Sequence, residues 1–335
     1  MRTISRAFIF QRKLRERKKR LSLELRFEKE RLFLVTDQLV IVRGGGDIAT
    51  GTIWALRHAG FPVLILESDR PSAIRRTVSL GEAVYEGSAR VEDLSVTLAE
   101  NLDQAEYYLF QDGIALLADP EGKTIREIIN SEEKYSEWDT GLTTLEGGGR
   151  HVFLTCVVDA ILAKKNLGTT RDMAPFVIGL GPGFTAGVDC DAVIETMRGH
   201  MLGRVITDGC ALANTGIPGL IAGHADDRVV HSPAAGVIRT FAQIGDIVQK
   251  GQVLARVECD KADPADVKAP FTGLLRGLIR DRFVVTQGFK IADIDPREAE
   301  HDNCYTISDK ARSIGGAVVT ALVGYVSRQA VDETL

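Results

Sequence analysis

Glycine-rich turns that follow buried-type apolar runs, and a stretch that repeats itself at a constant offset of 37 residues, predict the fold class. It is α/β: a Rossmann-like, doubly wound, mostly parallel sheet, followed by an all-β module and a C-terminal helix. The 335 residues are 44% apolar and carry a formal charge of -5, which describes a globular chain with room for roughly two or three domains. That balance excludes disordered and collagenous classes. No run of about 18 uncharged apolar residues occurs, and the most apolar stretch, residues 314–326, holds Gly315, Gly316 and Gly324, so no membrane span is expected. Five widely spaced cysteines without a CxxC pair predict a reducing, cytoplasmic setting and no metal site. The N-terminus lacks the apolar core of an export signal, which predicts the same compartment.

The opening residues differ from the rest. Residues 1–31 hold twelve Lys or Arg against four Glu, a local +8 that leaves -13 for the remainder. A like-charge block of this kind repels itself, so residues 1–37 are expected to form a basic extension, a solvated arm that turns helical on an anionic partner. No aromatic or strand-borne basic surface continues it, so nucleic acid is not the expected partner.

The α/β unit is expected over residues 38–228. Leu39-Val40-Ile41-Val42 reads as a strand buried on both faces, and Arg43-Gly44-Gly45-Gly46-Asp47 follows at once. From Ile48 the period changes: Ala49, Ile53 and Leu56 recur at helical spacing until Gly60 and Pro62 stop the helix after His58. Pro62-Val63-Leu64-Ile65-Leu66-Glu67 is a second strand ending in an acid. Within this order Gly44-x-Gly46-x-x-Ala49 satisfies the GxGxxG/A fingerprint. Its first glycine turns the chain, its second admits a pyrophosphate to backbone N–H groups, and its third small residue lets the helix pack closely. Gly45 and Asp47 complete the candidate phosphate loop. Glu67 lies 21 positions after Gly46, where an acid accepts from a ribose 2′-hydroxyl; this favours NAD, and Arg70 nearby moderates the preference against NADP. Retention of the loop for packing alone is the competing reading. Arg75, with Arg76, sits on the ligand edge as a candidate phosphate clamp.

A second glycine loop follows Pro175-Phe176-Val177-Ile178, with Gly179, Gly181 and Gly183 as candidate cofactor contacts. Glycines so dense cost chain entropy, so a close backbone approach is expected there. A helix over residues 191–202, capped by Asp189 or Asp191, and a strand near Arg204-Val205-Ile206-Thr207 would complete a second βαβ unit. A packing turn is the competing reading. Ile114 to Leu117 and Val152 to Val158 read as further strands, while residues 124–150 read as an exposed excursion.

The all-β module is expected over residues 229–296. Val230 with Val267, Pro233 with Pro270, Gly236 with Gly273, Val248 with Val285 and Leu254 with Ile291 keep the offset of 37, so two copies should pack about a pseudo-twofold axis. This region resembles the biotinyl and lipoyl carrier domains, the barrel-sandwich hybrids. The joining hairpin, residues 258–266, holds Lys261, but Asp260 and Ala262 beside it depart from the carrier pattern, so neither biotin nor lipoate is expected. In the tail, residues 297–335, a helix is expected from residue 311 to about 326. Cys304 near His301 is a candidate activated thiol; two ligands are too few for a metal. Asp309 and Lys310 are candidates for proton transfer.

In order along the chain, Val42-Arg43-Gly44-Gly45-Gly46-Asp47, Pro71-Ser72-Ala73-Ile74-Arg75-Arg76, Asp159-Ala160-Ile161-Leu162-Ala163-Lys164-Lys165-Asn166, Gly179-Leu180-Gly181-Pro182-Gly183-Phe184, Arg198-Gly199-His200, Asn214-Thr215-Gly216-Ile217-Pro218-Gly219 and Thr306-Ile307-Ser308-Asp309-Lys310-Ala311 resemble the YqeB-type accessory proteins of the selenium-dependent molybdenum hydroxylase system. The resemblance covers residues from about 38 to 330. It implies a maturation factor for a molybdenum hydroxylase, with that enzyme or its maturation machinery as partner and a small phosphorylated ligand or the molybdenum cofactor as cargo. Cys304 would carry the chalcogen. An NAD(P)-dependent oxidoreductase and a scaffold that docks the hydroxylase are the alternatives.

Overall fold

The computed structural model describes residues 35–130, 144–147, 150–214, 223–224, 226–259 and 263–332. Residues 1–34 of the basic extension, Lys261, and all but Asn214 of the motif at 214–219 lie outside the described residues.

Strand β1 (Gln38–Arg43) is buried at every position, as a strand covered on both faces must be. The glycine turn leads into α1 (Asp47–His58), and Gly60, at φ +95°, helps return the chain to β2 (Val63–Glu67). The short helix α2 (Ala83–Glu86), the hairpin β3 (Ser88–Val91) and β4 (Leu94–Ala99), α3 (Leu102–Asp112), β5 (Ile114–Ala118) and α4 (Lys123–Asn130) come next. Then β6 (Thr144–Gly147), β7 (Arg150–Asp159), β8 (Phe176–Leu180), β9 (Thr185–Ala186), β10 (Ala192–Ile194), β11 (Val205–Ile206) and β12 (Gly209–Cys210) follow.

The large sheet runs β11-β10-β8-β7-β1-β2-β5-β4-β3, with β6 paired to β7. Its six inner pairings are parallel. The chain winds outward from β1 through β2 and β5, then returns to β7 on the opposite side of β1. One face is covered by α1 and the C-terminal helix α5 (Asp309–Asp332), which bury Ile53, Leu56, Ile314 and Val318 against Val40, Val42 and Ile178. On the other face α3 and α4 bury Leu109, Ile125 and Ile128 against Leu39, Ile41 and Val157.

Two expectations are corrected here. Residues 191–202 are not helical: the Asp191 N–H donates to the Val177 carbonyl, and its carboxylate accepts from the Val177 N–H, both at 2.8 Å. That double bond draws Ala192–Ile194 into the sheet as β10, parallel to β8, so no second βαβ unit forms. Residues 123–130 are not an exposed excursion. The Asp119 carboxylate accepts from the Lys123 and Thr124 amides and caps α4, whose Ile125 and Ile128 are buried at helical spacing.

The all-β module comprises β13 (Val229–His231), β14 (Gly236–Thr240), β15 (Ile247–Val248), β16 (Val253–Glu258), β17 (Ala265–Lys268), β18 (Gly273–Leu278), β19 (Val284–Val285) and β20 (Lys290–Asp295). Strands β14, β15 and β16 recur 37 positions later as β18, β19 and β20. The two four-stranded sheets, β13-β20-β18-β15 and β17-β16-β14-β19, exchange under that offset, which is the pseudo-twofold arrangement the repeat predicts. Ile238, Leu254, Leu275 and Ile291 fill the space between them.

The sandwich is seated on the segment after β2. The Leu278 amide donates to the Ile74 carbonyl and Arg76 Nε to the Leu278 carbonyl, each at 2.8 Å. Arg280 binds Glu82 at 2.8 Å and Glu86 at 2.6 Å, and lies 4.3 Å from the centre of the Tyr85 ring.

Candidate functional site

Strand order reverses at β1, so the carboxyl ends of β1 and β7 mark the switch point, where open α/β sheets hold ligands in a crevice. The loop 44–47, residues 160–165 after β7, residues 195–199 after β10 and the head of α5 meet there.

The three glycines after β1 differ in what they do. Gly44 has φ +101°, and a Cβ on it would stand 3.0 Å from the Ala160 carbonyl; its amide donates to the Leu66 carbonyl at 2.7 Å. Gly45 donates to Glu67 Oε2 at 2.6 Å, and its carbonyl accepts from Ser79 Oγ and the Gly81 amide, both at 2.9 Å. A Cβ on Gly45 would come within 2.8 Å of the Gly81 nitrogen. Gly46 precedes α1 at φ -67° and ψ -177°, ordinary for any residue, and a Cβ on it would meet nothing within 4 Å. Close contacts require Gly44 and Gly45; none closes on Gly46, the N-cap of α1. Ala49, fully buried, lets α1 lie close to the sheet.

Glu67 latches this loop: one oxygen takes the Gly45 amide and the other the Ser68 amide, each at 2.6 Å. Burial pushes its pKa up, against those two bonds. A ribose hydroxyl would have to share these oxygens with the backbone. Asp47 starts α1, and its Oδ2 lies 3.2 Å from Arg75. Arg75 is buried and also donates to the Asn303 carbonyl at 3.0 Å. Arg76 is tied to Leu278 and faces Glu82. Protein groups thus engage both arginines, while the buried Arg75 Nε has no partner among the described residues.

The second loop is a packing turn. A Cβ on Gly179 would strike the Phe184 ring at 2.4 Å, one on Gly181 (φ +79°) Thr196 Oγ1 at 2.5 Å, and one on Gly183 (φ +113°) the Lys165 Cα at 2.6 Å. No helix begins after it, so the anion site expected there does not form.

Charges of both signs gather around the head of α5. Arg198 grips Asp309 with a fork of 3.0 and 3.1 Å and holds its carboxylate below the usual range. Lys310, in the first turn of α5, is half-buried, with Arg198, Asp47, Glu195 and Lys164 in electrostatic reach; burial first, then Arg198, pushes its pKa down. Lys164 and Leu162 hold φ values of +61° and +59°, a conformation side chains resist and that marks a constrained loop. Glu195 is buried and shapes the far wall by accepting from the Met197 and Leu212 amides at 2.7 Å. Since Asp309 is ionised more readily folded than unfolded, its pairing with Arg198 stabilises the fold above the unfolded carboxyl pKa of about 4 and is lost as pH falls through the folded value. Arg198→Ala should therefore raise the Asp309 pKa in a carboxyl NMR titration.

Cys304 stands apart. It is fully buried in the sandwich core, and burial pushes its thiol up although Arg276 and Arg75 oppose this. An accessible, activated thiol is therefore not formed, which corrects that expectation. Among the described residues no three His, Cys, Asp or Glu stand together as a metal site. No described helix is long and apolar enough to cross a membrane. Sequence reasoning gave Arg198 no role beyond its place in a motif and missed Glu195 and Gly81 altogether, because their partners are distant in the chain.

Comparison with known proteins places the sandwich: a family described as "Biotin-requiring enzyme" matches residues 228–294, and the region is biotinyl/lipoyl-like. An uncharacterized protein of Escherichia coli (strain K12), YqeB, is 46% identical over 286 residues, 85% of this chain and 47% of that protein. The chain therefore spans about half the length of the curated relative it matches. Among solved structures, an aspartoacylase family protein from Mesorhizobium loti overlaps 77% of this chain and 84% of its own at 13% identity and a TM-score of 0.24. The ectoine utilization protein EutE (DoeB) from Ruegeria pomeroyi, in its product-bound structure, overlaps 76% of this chain and 56% of its own at 13% identity and a TM-score of 0.21. At such scores neither bears on this chain's chemistry. The chain is thus similar to YqeB over most of its length and to biotin-requiring enzymes over its sandwich.

Proposed function

We propose that the crevice binds a small phosphorylated ligand on a Rossmann-like framework, and that the protein is an accessory factor in the maturation of a selenium-dependent molybdenum hydroxylase. The ligand is a nucleotide or the phosphorylated molybdenum cofactor, presented to the hydroxylase or its machinery in the cytoplasm. The observation that carries the ligand reading is Gly46. It begins a helix at the reversal of strand order, a Cβ on it would meet nothing within 4 Å, and Lys310, unpaired among the described residues, is in electrostatic reach of the adjoining Asp47. The similarity to YqeB and the ordered motifs support the maturation role. An NAD(P)-dependent oxidoreductase draws less support, since Glu67 spends both oxygens on backbone amides.

Isothermal titration of the protein with pyrophosphate, NAD and isolated molybdenum cofactor tests the reading. Gly46→Val should weaken binding by about tenfold or more, roughly 1.4 kcal/mol, by denying the phosphate its approach. Its melting temperature should fall only modestly, since a Cβ meets open space and the cost is the loss of a favoured N-cap residue, about 1 kcal/mol. Absence of binding to all three would end the ligand reading.

A further inference from the structure

We propose that Lys310 is a reactive amine that forms an imine with the carbonyl group of a phosphorylated aldehyde or ketone held in the crevice. This rests on the phosphate reading above and names the class of ligand that the same site takes. Three features single out Lys310. It sits in the first turn of α5, where the aligned backbone dipoles oppose a positive charge. Arg198 and Lys164 add like charge within electrostatic reach, while Asp309, the neighbouring carboxylate, is spent on Arg198. The side chain is half-buried, and among the described residues its ammonium makes no hydrogen bond or ion pair.

Of the remaining acids near it, Asp47 is paired with Arg75, and Glu195 accepts from two backbone amides. Burial and adjacent cations are the two means by which a lysine is made nucleophilic near neutral pH, and both act here. The phosphate of the ligand would lie at Gly46 and the cations, leaving its carbonyl to the amine. The neutral Nζ adds to the carbonyl carbon, a C=N bond replaces the C=O bond, and the oxygen leaves as water with both amine protons. No redox partner is needed.

Pyridoxal 5′-phosphate, a phosphorylated aldehyde, is the probe. The full chain is incubated with it, reduced with borohydride to fix any imine, and mapped by peptide mass spectrometry. Lys310 is expected to label about tenfold faster than the exposed Lys250 and Lys268, because its amine is half-buried and flanked by cations. Pyrophosphate should protect Lys310 from labelling. Lys310→Arg, which keeps the charge, should lose that adduct alone. Labelling of Lys310 no faster than of Lys250 and Lys268 overturns the assignment; if pyrophosphate still binds, the phosphate site stands without it. Preferential labelling without pyrophosphate binding or protection supports the amine and overturns the phosphate reading.

Discussion

Arg43→Met should destabilise the protein by about 3–5 kcal/mol, read as a fall in the urea midpoint. Arg43 and Asp159 are register partners at the carboxyl ends of β1 and β7, and both are buried, at 3% and 1% exposure. Their charges lie 3.6 Å apart, bridged by Thr169, whose hydroxyl accepts from Arg43 and donates to Asp159 at 2.5 Å. Methionine fills the space and leaves the carboxylate without its counter-ion. Burial already pushes the Asp159 pKa up. The sign follows: stability linked to this group is fully present below the unfolded carboxyl pKa of about 4 and is lost as pH rises through the folded value. The variant should therefore lose more at about pH 8 than at about pH 5. Adding Asp159→Asn should recover part of the loss, and a cost below about 1 kcal/mol for the single change would show that the pair is not desolvated as described.

Gly315→Val is the second large effect, expected at about 3 kcal/mol or more because it overpacks a contact made of backbone. A Cβ on Gly315 would stand 2.4 Å from the Gly51 carbonyl, and one on Gly51 2.5 Å from the Ala311 Cβ, so α1 and α5 touch along their main chains. The valine must lift α5 and uncover Ile314, Val318 and Leu322, all fully buried. Gly315→Ala should cost less, since alanine returns about 1 kcal/mol of helix propensity. Thermal unfolding of the two variants checks the order. A melting temperature unchanged in Gly315→Val would contradict the close approach.

The elements that the sequence made legible are those whose signal is local. β1, α1, β2, β5, β7 and β8 each announced themselves by an apolar run or a change of period, and the sandwich by its repeat. α5 was also legible, although it runs past the expected end at residue 326 to Asp332. Residues 191–202 misled because an N-cap aspartate and a strand-pairing aspartate look alike; only the distant amide of Val177 decides between them. The same limit applied to the site. That Gly44, Gly45 and Gly46 lie at one sheet edge could be inferred; that Lys310 joins them could not, because its helix comes after the whole sandwich in the chain. Which glycine is open could not, because Ala160 and Gly81 close the other two from elsewhere in the chain. The partners of Arg75 were equally hidden: Asn303, whose carbonyl it meets, is 228 positions away.

The last helix of the described chain roofs the first strands, and this has a consequence for biosynthesis. Val40, Val42 and Ile178 lie under α1 and α5, yet about 140 residues separate β8 from the middle of α5. At ribosomal speeds of about 5–20 residues per second, the nascent sheet waits on the order of ten seconds with half its greasy side bare, while the whole sandwich emerges in between. Such an intermediate is a natural client for a holdase chaperone, and its yield in cells should respond to translation speed more than that of a protein whose neighbours in space are neighbours in order of synthesis.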